Sequence, residues 1–149
     1  MSVTFRPAAL EDVPAIVALL ADDPLGAARE SAALGPYEAA FARIAASPDT
    51  QLIVGERQGR VVATYQLSIM PGLSNAGRTR ATLEAVRVAA ELRSQGLGAL
   101  LVADAEARAR AAGAGVLQLT THKSRSRAHA FYDRLGFTPS HIGYKRDLT

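Results

Sequence analysis

The chain has 149 residues, with 17 Lys and Arg against 14 Asp and Glu, and it contains no cysteine. This length suits one domain that buries a substantial core. The absence of cysteine excludes disulfides, thiolate nucleophiles and cysteine-ligated zinc or iron–sulfur centres. A net charge of only +3 does not by itself indicate a nucleic-acid partner.

The hydropathy pattern indicates neither a membrane segment nor a secretion signal. The longest apolar run, residues 15–21, is far shorter than the roughly 18 residues that a membrane-spanning helix needs. Residues 1–6 lack the apolar stretch of a signal peptide. We therefore expect a cytoplasmic protein with no membrane partner, and the arginine- and alanine-rich composition indicates a bacterial source.

The N-terminal third predicts one strand followed by two helices. Residues 3–6 form the strand, and a first helix follows with Asp12 as its N-cap. Residues 22–26 then break that helix. A second helix ends before residues 47–49, and its inward positions are Tyr37, Ala40, Phe41 and Ile44.

The middle of the chain predicts three consecutive strands. Residues 51–57 and 60–70 form a hairpin, because Gly59 in the Gln58-Gly59 turn accepts the positive φ that a tight turn needs. Residues 71–77 form a loop, and residues 82–88 form the third strand of this group.

The last third predicts helix, strand, helix and strand. The chain passes through residues 91–98 into a helix that extends to about Ala112. The remaining elements are a strand over 116–121, a helix over 127–135 that Gly136 caps, and a strand over 142–146. The order β-α-α-β-β-β-α-β-α-β predicts a single α/β domain over residues 1–149, with a mixed, mainly antiparallel sheet and helices on both faces.

One segment combines a strand, a short loop and the glycine-bearing start of a helix. Consecutive backbone N–H groups at such a start, next to Gly96 and Gly98, can hold a phosphate group. The alternative is that the glycines only ease a tight turn. The segment is not a dinucleotide fingerprint, because Leu101 stands where the third glycine belongs, and it lacks the Gly-Lys-Ser/Thr of a Walker loop.

Two segments resemble signatures of the GNAT acetyltransferase superfamily. The loop resembles its Arg/Gln-x-x-Gly-x-Gly/Ala motif and reads Arg93-Ser94-Gln95-Gly96-Leu97-Gly98. The second segment resembles its Ala-x-x-Phe-Tyr-x-x-x-Gly-Phe motif and reads Ala128-His129-Ala130-Phe131-Tyr132-Asp133-Arg134-Leu135-Gly136-Phe137. Both stand in the family's order on matching predicted elements, so the resemblance covers nearly the whole chain.

The resemblance implies that the chain binds acetyl-CoA as a co-substrate. The loop would hold the pyrophosphate, through Arg93, Ser94, Gln95, Gly96, Leu97, Gly98 and Ala99. The strand before it would hold the pantetheine arm, through the backbone of Val86 and Val88 and the intervening Arg87. The resemblance implies no metal, and His122, His129 and His141 lack the spacing of metal ligands.

Glu84 is the candidate general base. It stands among apolar strand residues, and desolvation in such surroundings would raise the pKa of a carboxyl group that has no partner. Its task would be to take a proton, through water, from an ammonium substrate, because only the neutral amine attacks a thioester. The alternative is a structural ion pair with Arg87 or Arg80.

Tyr132 is the candidate general acid. It matches the family position whose phenol lies near the thioester sulfur and protonates the departing CoA thiolate. The alternative is a core aromatic, the role expected of Phe131. A buried phenol needs a polar partner, which favours the functional interpretation.

The chain departs from the family at Arg125, where many members carry an asparagine that contacts the cofactor. Arg125, with Lys123 and Arg127, would instead reach CoA phosphates. The alternative is a solvated basic turn. The cluster is too short to indicate nucleic-acid binding.

The resemblance implies an acetyl-CoA-dependent N-acetyltransferase that transfers acetyl directly to a primary amine of a small molecule. The alternative is a non-catalytic acyl-CoA-binding or sensing domain of the same fold. The amine site would lie between the first two helices and the loop 71–79. We assign no role to the polar residues there, Asp22, Asp23, Arg29, Glu30 and Tyr37. Dimers are common in the superfamily, which makes a homodimer compatible with the resemblance.

Overall fold

A computed structural model describes residues 2–149, and Met1 of the predicted N-terminal segment lies outside the described residues. The chain begins with β1 (Thr4–Pro7), a 3-10 turn (Leu10–Asp12) and α1 (Val13–Ala21). Asp12 stands at the N-cap position of α1 as predicted, but its side chain accepts no hydrogen bond from the N–H groups of α1. Its carboxylate instead accepts from the backbone N–H of Ala9 at 2.7 Å and pairs with Arg6 at 2.7 Å.

The region that was expected only to break the first helix contains a helix of its own, α2 (Pro24–Arg29), before α3 (Gly35–Ala46). Asp23 caps α2, since its Oδ1 accepts from the N–H of Gly26 at 2.5 Å, and Pro24 fills the first helical position. The Asp-Pro pair is itself a helix-start signal. The prediction of a break at residues 22–26 leaves this signal unused.

The predicted hairpin is confirmed. It joins β2 (Thr50–Arg57) to β3 (Arg60–Met70), and both turn residues are left-handed, with φ of 52° at Gln58 and 75° at Gly59. Two consecutive positive φ values fit the tight turn whose twist matches that of the flanking strands. A single turn, α4 (Ser74–Gly77), lies within the loop that follows.

The strands form one sheet in the order β1-β2-β3-β4-β5, with β4 at Arg80–Val88 and β5 at Val116–Leu119. The pairs β1–β2, β2–β3 and β3–β4 are antiparallel. Four consecutive residues of β3, Val62 to Tyr65, are buried, which requires cover on both faces of the sheet. Helices α1, α3 and α5 (Leu97–Ala111) supply that cover, so the predicted fold class is confirmed.

The core includes one polar network, centred on Tyr65. Its hydroxyl donates to the carboxylate of Asp104 on α5, and Arg108 donates to the same carboxylate at 2.8 Å. Burial and the bond to Asp104 raise the pKa of Tyr65 well above its ordinary value. Arg108 also donates to the carbonyl of Phe5 at 3.2 Å, so the network joins β1, β3 and α5.

The chain divides into two compact units, one ending at Gln118 and the other comprising Leu119–Thr149. The second unit contains α6 (Ser126–Arg134). The strand predicted over residues 142–146 is wrong, because this segment has no strand partner and lies exposed. Within the described residues, no helix is both long and apolar enough to cross a membrane.

Candidate functional site

The loop between β4 and α5 contains two residues with a left-handed backbone. Ser94 and Gly96 are both left-handed, with φ of 63° and 84°. Gly96 is the residue before α5, and no atom lies within 4 Å of the position that a Cβ would take there. Glycine is therefore needed at this position for its conformation rather than for space.

The start of α5 presents a row of N–H groups. The first bond back into the helix runs from the N–H of Leu100 to the carbonyl of Gly96, at 3.3 Å. The N–H groups of the first helical residues, Leu97, Gly98 and Ala99, precede that bond and have no partner within a helix. The helix has 15 residues, so its dipole adds positive potential at this end. The arrangement suits a diphosphate.

Arg93 connects the loop by hydrogen bonds to the end of β4 and to the residue that follows α1. Its Nε donates to the carbonyl of Val88 at the end of β4, at 3.2 Å. Its guanidinium also donates to the carbonyl of Asp22 at 3.2 Å and pairs with the Asp22 carboxylate at 3.5 Å. The side chain is about half exposed, so it is accessible to an anionic ligand at the loop.

A β-bulge interrupts β4 just before the predicted cofactor residues. Gln66 stands opposite Glu84 and Thr64 opposite Arg87, which leaves Tyr65 facing both Ala85 and Val86. Ala85 is left-handed, with φ of 53°. Bulges of this kind commonly re-aim groups beside active sites. The sequence shows no glycine that would have signalled this one.

Arg87 and Asp23 form an ion pair that the sequence analysis missed. The Arg87 Nε lies 3.7 Å from Asp23 Oδ2, and the two side chains are only 15% and 17% exposed. A second donor nitrogen of Arg87 bonds the carbonyl of Val86 at 2.8 Å. The two aspartates at the α1–α2 corner therefore hold the two arginines that flank the end of β4. Adjacent acidic residues at a helix end carry no signal that would identify such distant partners.

Glu84 is exposed, so the desolvation expected from its apolar neighbours is absent. Adjacent strand residues point to opposite faces, and the buried one is Leu83. Among the described residues no ion pair involves Glu84, and its proposed partner Arg87 is paired with Asp23 instead. The catalytic role of Glu84 stays a prediction. The carboxylate that would act as the base is accessible to solvent and not buried.

The second unit holds Tyr132 on α6. Its ring packs edge-on against Phe131 and Phe137, with centroids 5.1 and 5.6 Å away. Gly136, with φ of 88°, ends the helix as predicted, and the N–H of Phe137 returns to the carbonyl of Tyr132 at 3.1 Å. The helix end thus fixes the aromatic cluster around Tyr132. Its role as general acid stays a prediction.

The basic turn before α6 is held by its histidines. His122 Nδ1 bonds the Ser124 hydroxyl at 2.7 Å, and His129 Nε2 bonds the carbonyl of His122 at 3.0 Å. Arg125 immediately precedes α6 and is half-buried, and its contact with CoA stays a prediction. The part of the chain that the structure describes contains no group of three or more His, Asp or Glu arranged to hold a metal ion.

Two cavities lie apart from the predicted catalytic residues. One lies between α3 and β2, lined by Phe41, Ile44 and Leu52 among others. The other lies beside the β2–β3 turn, at Arg60 and Glu91. Neither is lined by Glu84, Arg93 or Tyr132, so we base the candidate site on the β4 bulge and the loop rather than on cavity shape.

Comparison with known proteins agrees with these features. A model of the acetyltransferase (GNAT) family matches residues 14–137. A transcriptional regulator from Bacillus halodurans C-125 is 39% identical, with 99% of this chain and 100% of that chain covered and a TM-score of 0.94. A protein from Agrobacterium tumefaciens C58, described as a candidate acetyltransferase, is 28% identical over 97% and 99% of the two chains, with a TM-score of 0.86.

A third solved structure shares the fold alone. It is a protein from Clostridium acetobutylicum, described as a predicted acetyltransferase and crystallised with acetyl-CoA, which is 14% identical over 99% of this chain and 97% of that chain, with a TM-score of 0.77. A search of curated sequences finds no match. Because the family model covers well over half of the sequence, this chain belongs to the GNAT acetyltransferase family.

Proposed function

We propose that this chain is an acetyl-CoA-dependent N-acetyltransferase that transfers an acetyl group directly to a primary amine of a small molecule. The observation that carries the proposal is the loop of Arg93 to Gly96. It has two left-handed residues and an accessible arginine at the start of a 15-residue helix, in a chain of this family. We place the protein in a bacterial cytoplasm and expect no nucleic-acid or membrane partner.

The residues present fit acetyl-CoA. A diphosphate carries negative charge, and the loop offers backbone N–H donors together with Arg93. The pantetheine arm would bind along β4 beyond the bulge, at the backbone of Val86 and Val88. Both residues are half-buried. Arg87 donates to the carbonyl of Val86, so this carbonyl has a donor before any ligand binds. The remaining backbone groups would hold the arm.

The reaction needs three proton transfers. Glu84 accepts a proton, through water, from the ammonium form of the substrate, and the neutral amine attacks the thioester carbonyl carbon. The tetrahedral intermediate collapses by breaking the carbon–sulfur bond, and the phenol of Tyr132 gives its proton to the CoA thiolate. The extra proton on the former amine nitrogen then passes through water to the Tyr132 phenolate, which leaves a neutral amide and restores the phenol. Direct transfer agrees with the composition, because the chain has no cysteine to carry an acetyl intermediate.

The test combines binding and turnover. Calorimetry with acetyl-CoA should show stoichiometric binding, and a thiol-release assay over a panel of amines should show turnover on one amine class. Glu84→Gln should lower kcat about a hundredfold, as loss of a general base does, with Kd for acetyl-CoA within about twofold of wild type. Tyr132→Phe should also lower kcat.

Two controls separate catalysis from general damage. Glu106→Gln removes an exposed carboxylate on α5 that already pairs with Arg110, and Tyr144→Phe removes an exposed hydroxyl. Both should leave kcat unchanged. Unchanged turnover in Glu84→Gln and Tyr132→Phe would contradict the assigned roles, and absence of acetyl-CoA binding would contradict the whole proposal.

A second candidate function is an acyl-CoA-sensing domain without an acceptor. It is favoured by the name of the Bacillus halodurans relative, a transcriptional regulator with 39% identity to this chain. Stoichiometric acetyl-CoA binding without turnover on any amine would support this candidate. A mobility shift with double-stranded DNA, measured with and without acetyl-CoA, would then test for regulation.

A further inference from the structure

One face of β4 carries accessible polar side chains beside the candidate base. Three residues of the strand, Arg80, Thr82 and Glu84, are half-buried or exposed. They alternate with Ala81 and Leu83, which are buried. Alternate residues of a strand point to the same face, and the pairing with β3 is regular up to Glu84, where the bulge begins. The three side chains therefore form a row along one face of the sheet.

The strands on either side of β4 add neutral polar groups to this row. On β3, Gln66 lies opposite Glu84 and Ser68 lies opposite Thr82, and both β3 residues are half-buried. On β5, Gln118 donates to the hydroxyl of Thr82 at 3.2 Å. Amide and hydroxyl side chains can donate hydrogen bonds to a ligand and accept them from it. The face therefore has the composition of a binding surface for a polar molecule.

The α1–α2 corner lies at the bulge end of the same face. Beyond the bulge, Arg87 lies opposite Thr64, which is two residues from Gln66 and therefore shares its face. Arg87 pairs with Asp23 of the corner, at 3.7 Å. A ligand whose reacting group lies near Glu84 therefore has the corner on one side, and the rest of the ligand extends along the row in the other direction.

Arg80 lies at the far end of the row. It is half-buried, and among the described residues no hydrogen bond or ion pair involves its side chain. A guanidinium group that is partly removed from water is stabilised by an anion beside it. Arg80 and Glu84 are four residues apart, so their Cα atoms are separated by about 13 Å. The row thus has a carboxylate near one end and an unneutralised positive charge at the other.

We propose that the acceptor is a primary amine with an anionic group at its far end, and that Arg80 determines this specificity. The inference rests on the proposed function and names its substrate class. The ammonium group lies near Glu84, and the anionic group binds the Arg80 guanidinium. Thr82 lies between them and bonds polar groups in the middle of the substrate. An α-amino acid is too short for this spacing, because its ammonium and carboxylate groups are attached to the same carbon atom.

The first test compares amines of one length that differ only in the far group: 6-aminohexanoate, 6-aminohexyl phosphate and neutral 6-aminohexan-1-ol. The wild type should have a kcat/KM at least about tenfold higher on one of the two anionic amines than on the alcohol, the effect of one charged hydrogen bond. The carboxylate and the phosphate show which anion the site takes. A wild type that acetylates these or other amines without preferring an anionic one overturns the inference and leaves the proposed function intact.

Substitutions of Arg80 test whether it is the source of this preference. Arg80→Gln should raise KM for the anionic amine about tenfold and should leave kcat/KM for the alcohol within about twofold of wild type. Arg80→Lys keeps the charge and should retain part of the preference. The control is Arg43→Gln, which removes an exposed arginine on α3 and should change neither value. An undiminished preference in Arg80→Gln overturns the inference.

The second test measures binding and does not depend on turnover. Each anionic amine is titrated into the protein by calorimetry, with and without CoA. The wild type should bind the preferred amine at least about tenfold more tightly than Arg80→Gln does. Urea unfolding should show equal stability of the two proteins, which separates loss of the site from loss of the fold. Absence of turnover on every amine contradicts the proposed function, whereas equal affinity in the two proteins, or no binding to the wild type, overturns this inference.

Discussion

Asp12 illustrates how one side chain can hold several local elements at once. Its carboxylate is almost buried, pairs with Arg6 and accepts from the backbone of Ala9. The bond from Arg6, more than any other contact, lowers the pKa of Asp12, and burial only partly opposes it. Because Arg6 lies on β1 and Ala9 precedes the 3-10 turn, the pair fixes the path from the sheet into α1.

We predict that Asp12→Asn lowers the free energy of unfolding at pH 7 by about 2 kcal/mol, the usual range for a charged hydrogen bond of low exposure. A carboxyl group with a lowered pKa contributes stability above its unfolded pKa, and this contribution disappears as the pH falls through the folded value. The wild type should therefore lose stability below about pH 4, where the variant should lose less. Urea unfolding from pH 3 to pH 7 measures both effects.

The matched control is Glu11→Gln, which removes the adjacent but exposed carboxylate. It should leave the free energy of unfolding at pH 7 unchanged to within about 0.5 kcal/mol. If Asp12→Asn were as stable as Glu11→Gln at every pH, the pair with Arg6 would have no role in the stability of the fold.

The loop that opens α5 depends on backbone conformation more than on side chains. Gly96 is left-handed, and a methyl group there would meet no neighbouring atom within 4 Å. We predict that Gly96→Ala destabilises the chain by about 1 kcal/mol, the cost of a left-handed residue with a Cβ. It should also weaken acetyl-CoA binding at least fivefold, because relaxation of this residue turns the helix-start N–H groups away from the diphosphate. Urea unfolding and calorimetry measure the two effects.

Gly35 provides the control, because it starts α3, has equally open surroundings and does not have a positive φ. Gly35→Ala should leave binding unchanged and should not lower the free energy of unfolding. Equal acetyl-CoA affinity in Gly96→Ala and the wild type would show that the loop conformation does not determine binding.

The elements with local signals were predicted well, and those set by distant contacts were not. The Gln58-Gly59 turn and the cap at Gly136 depend on positive φ, which glycine signals within a few residues. The bulge at Ala85 has no such signal, because an alanine adopts the left-handed conformation there and only the pairing with β3 requires it. The residues 142–146 have a strand pattern but form no strand in the structure, because an alternating pattern alone does not supply the neighbouring strand that a ladder needs.

At the scale of the molecule, the same limit applies to the candidate site. The loop motif and the position of Glu84 were found from sequence, since they lie on one strand and the turn after it. The sequence does not predict the exposure of Glu84, because that exposure depends on which face of β4 is covered. Likewise, the contacts of Asp22 and Asp23 join residues more than sixty positions apart, and no local pattern identifies such partners.

Those two contacts connect the N-terminal helices to the cofactor strand, but they differ in burial. Asp23 and Arg87 are each less than one-fifth exposed, and Asp23 also caps α2, whereas Asp22 and Arg93 are each about half exposed. We predict that Asp23→Asn lowers the free energy of unfolding by about 2 kcal/mol, while Asp22→Asn lowers it by less than about 1 kcal/mol, as exposed pairs do.

The two variants should also differ in binding. Asp22 pairs with the arginine that would meet the diphosphate, so Asp22→Asn removes a competing anion and should leave acetyl-CoA affinity equal or higher. Asp23→Asn removes the charge that positions Arg87, which donates to the carbonyl of Val86, and should therefore weaken acetyl-CoA binding. Urea unfolding of the two variants measures their stability, and calorimetry measures their affinity for acetyl-CoA. Equal losses of stability would show that burial does not distinguish the contacts, and weaker binding in Asp22→Asn would mean that Asp22 positions Arg93 for the ligand rather than competing with it.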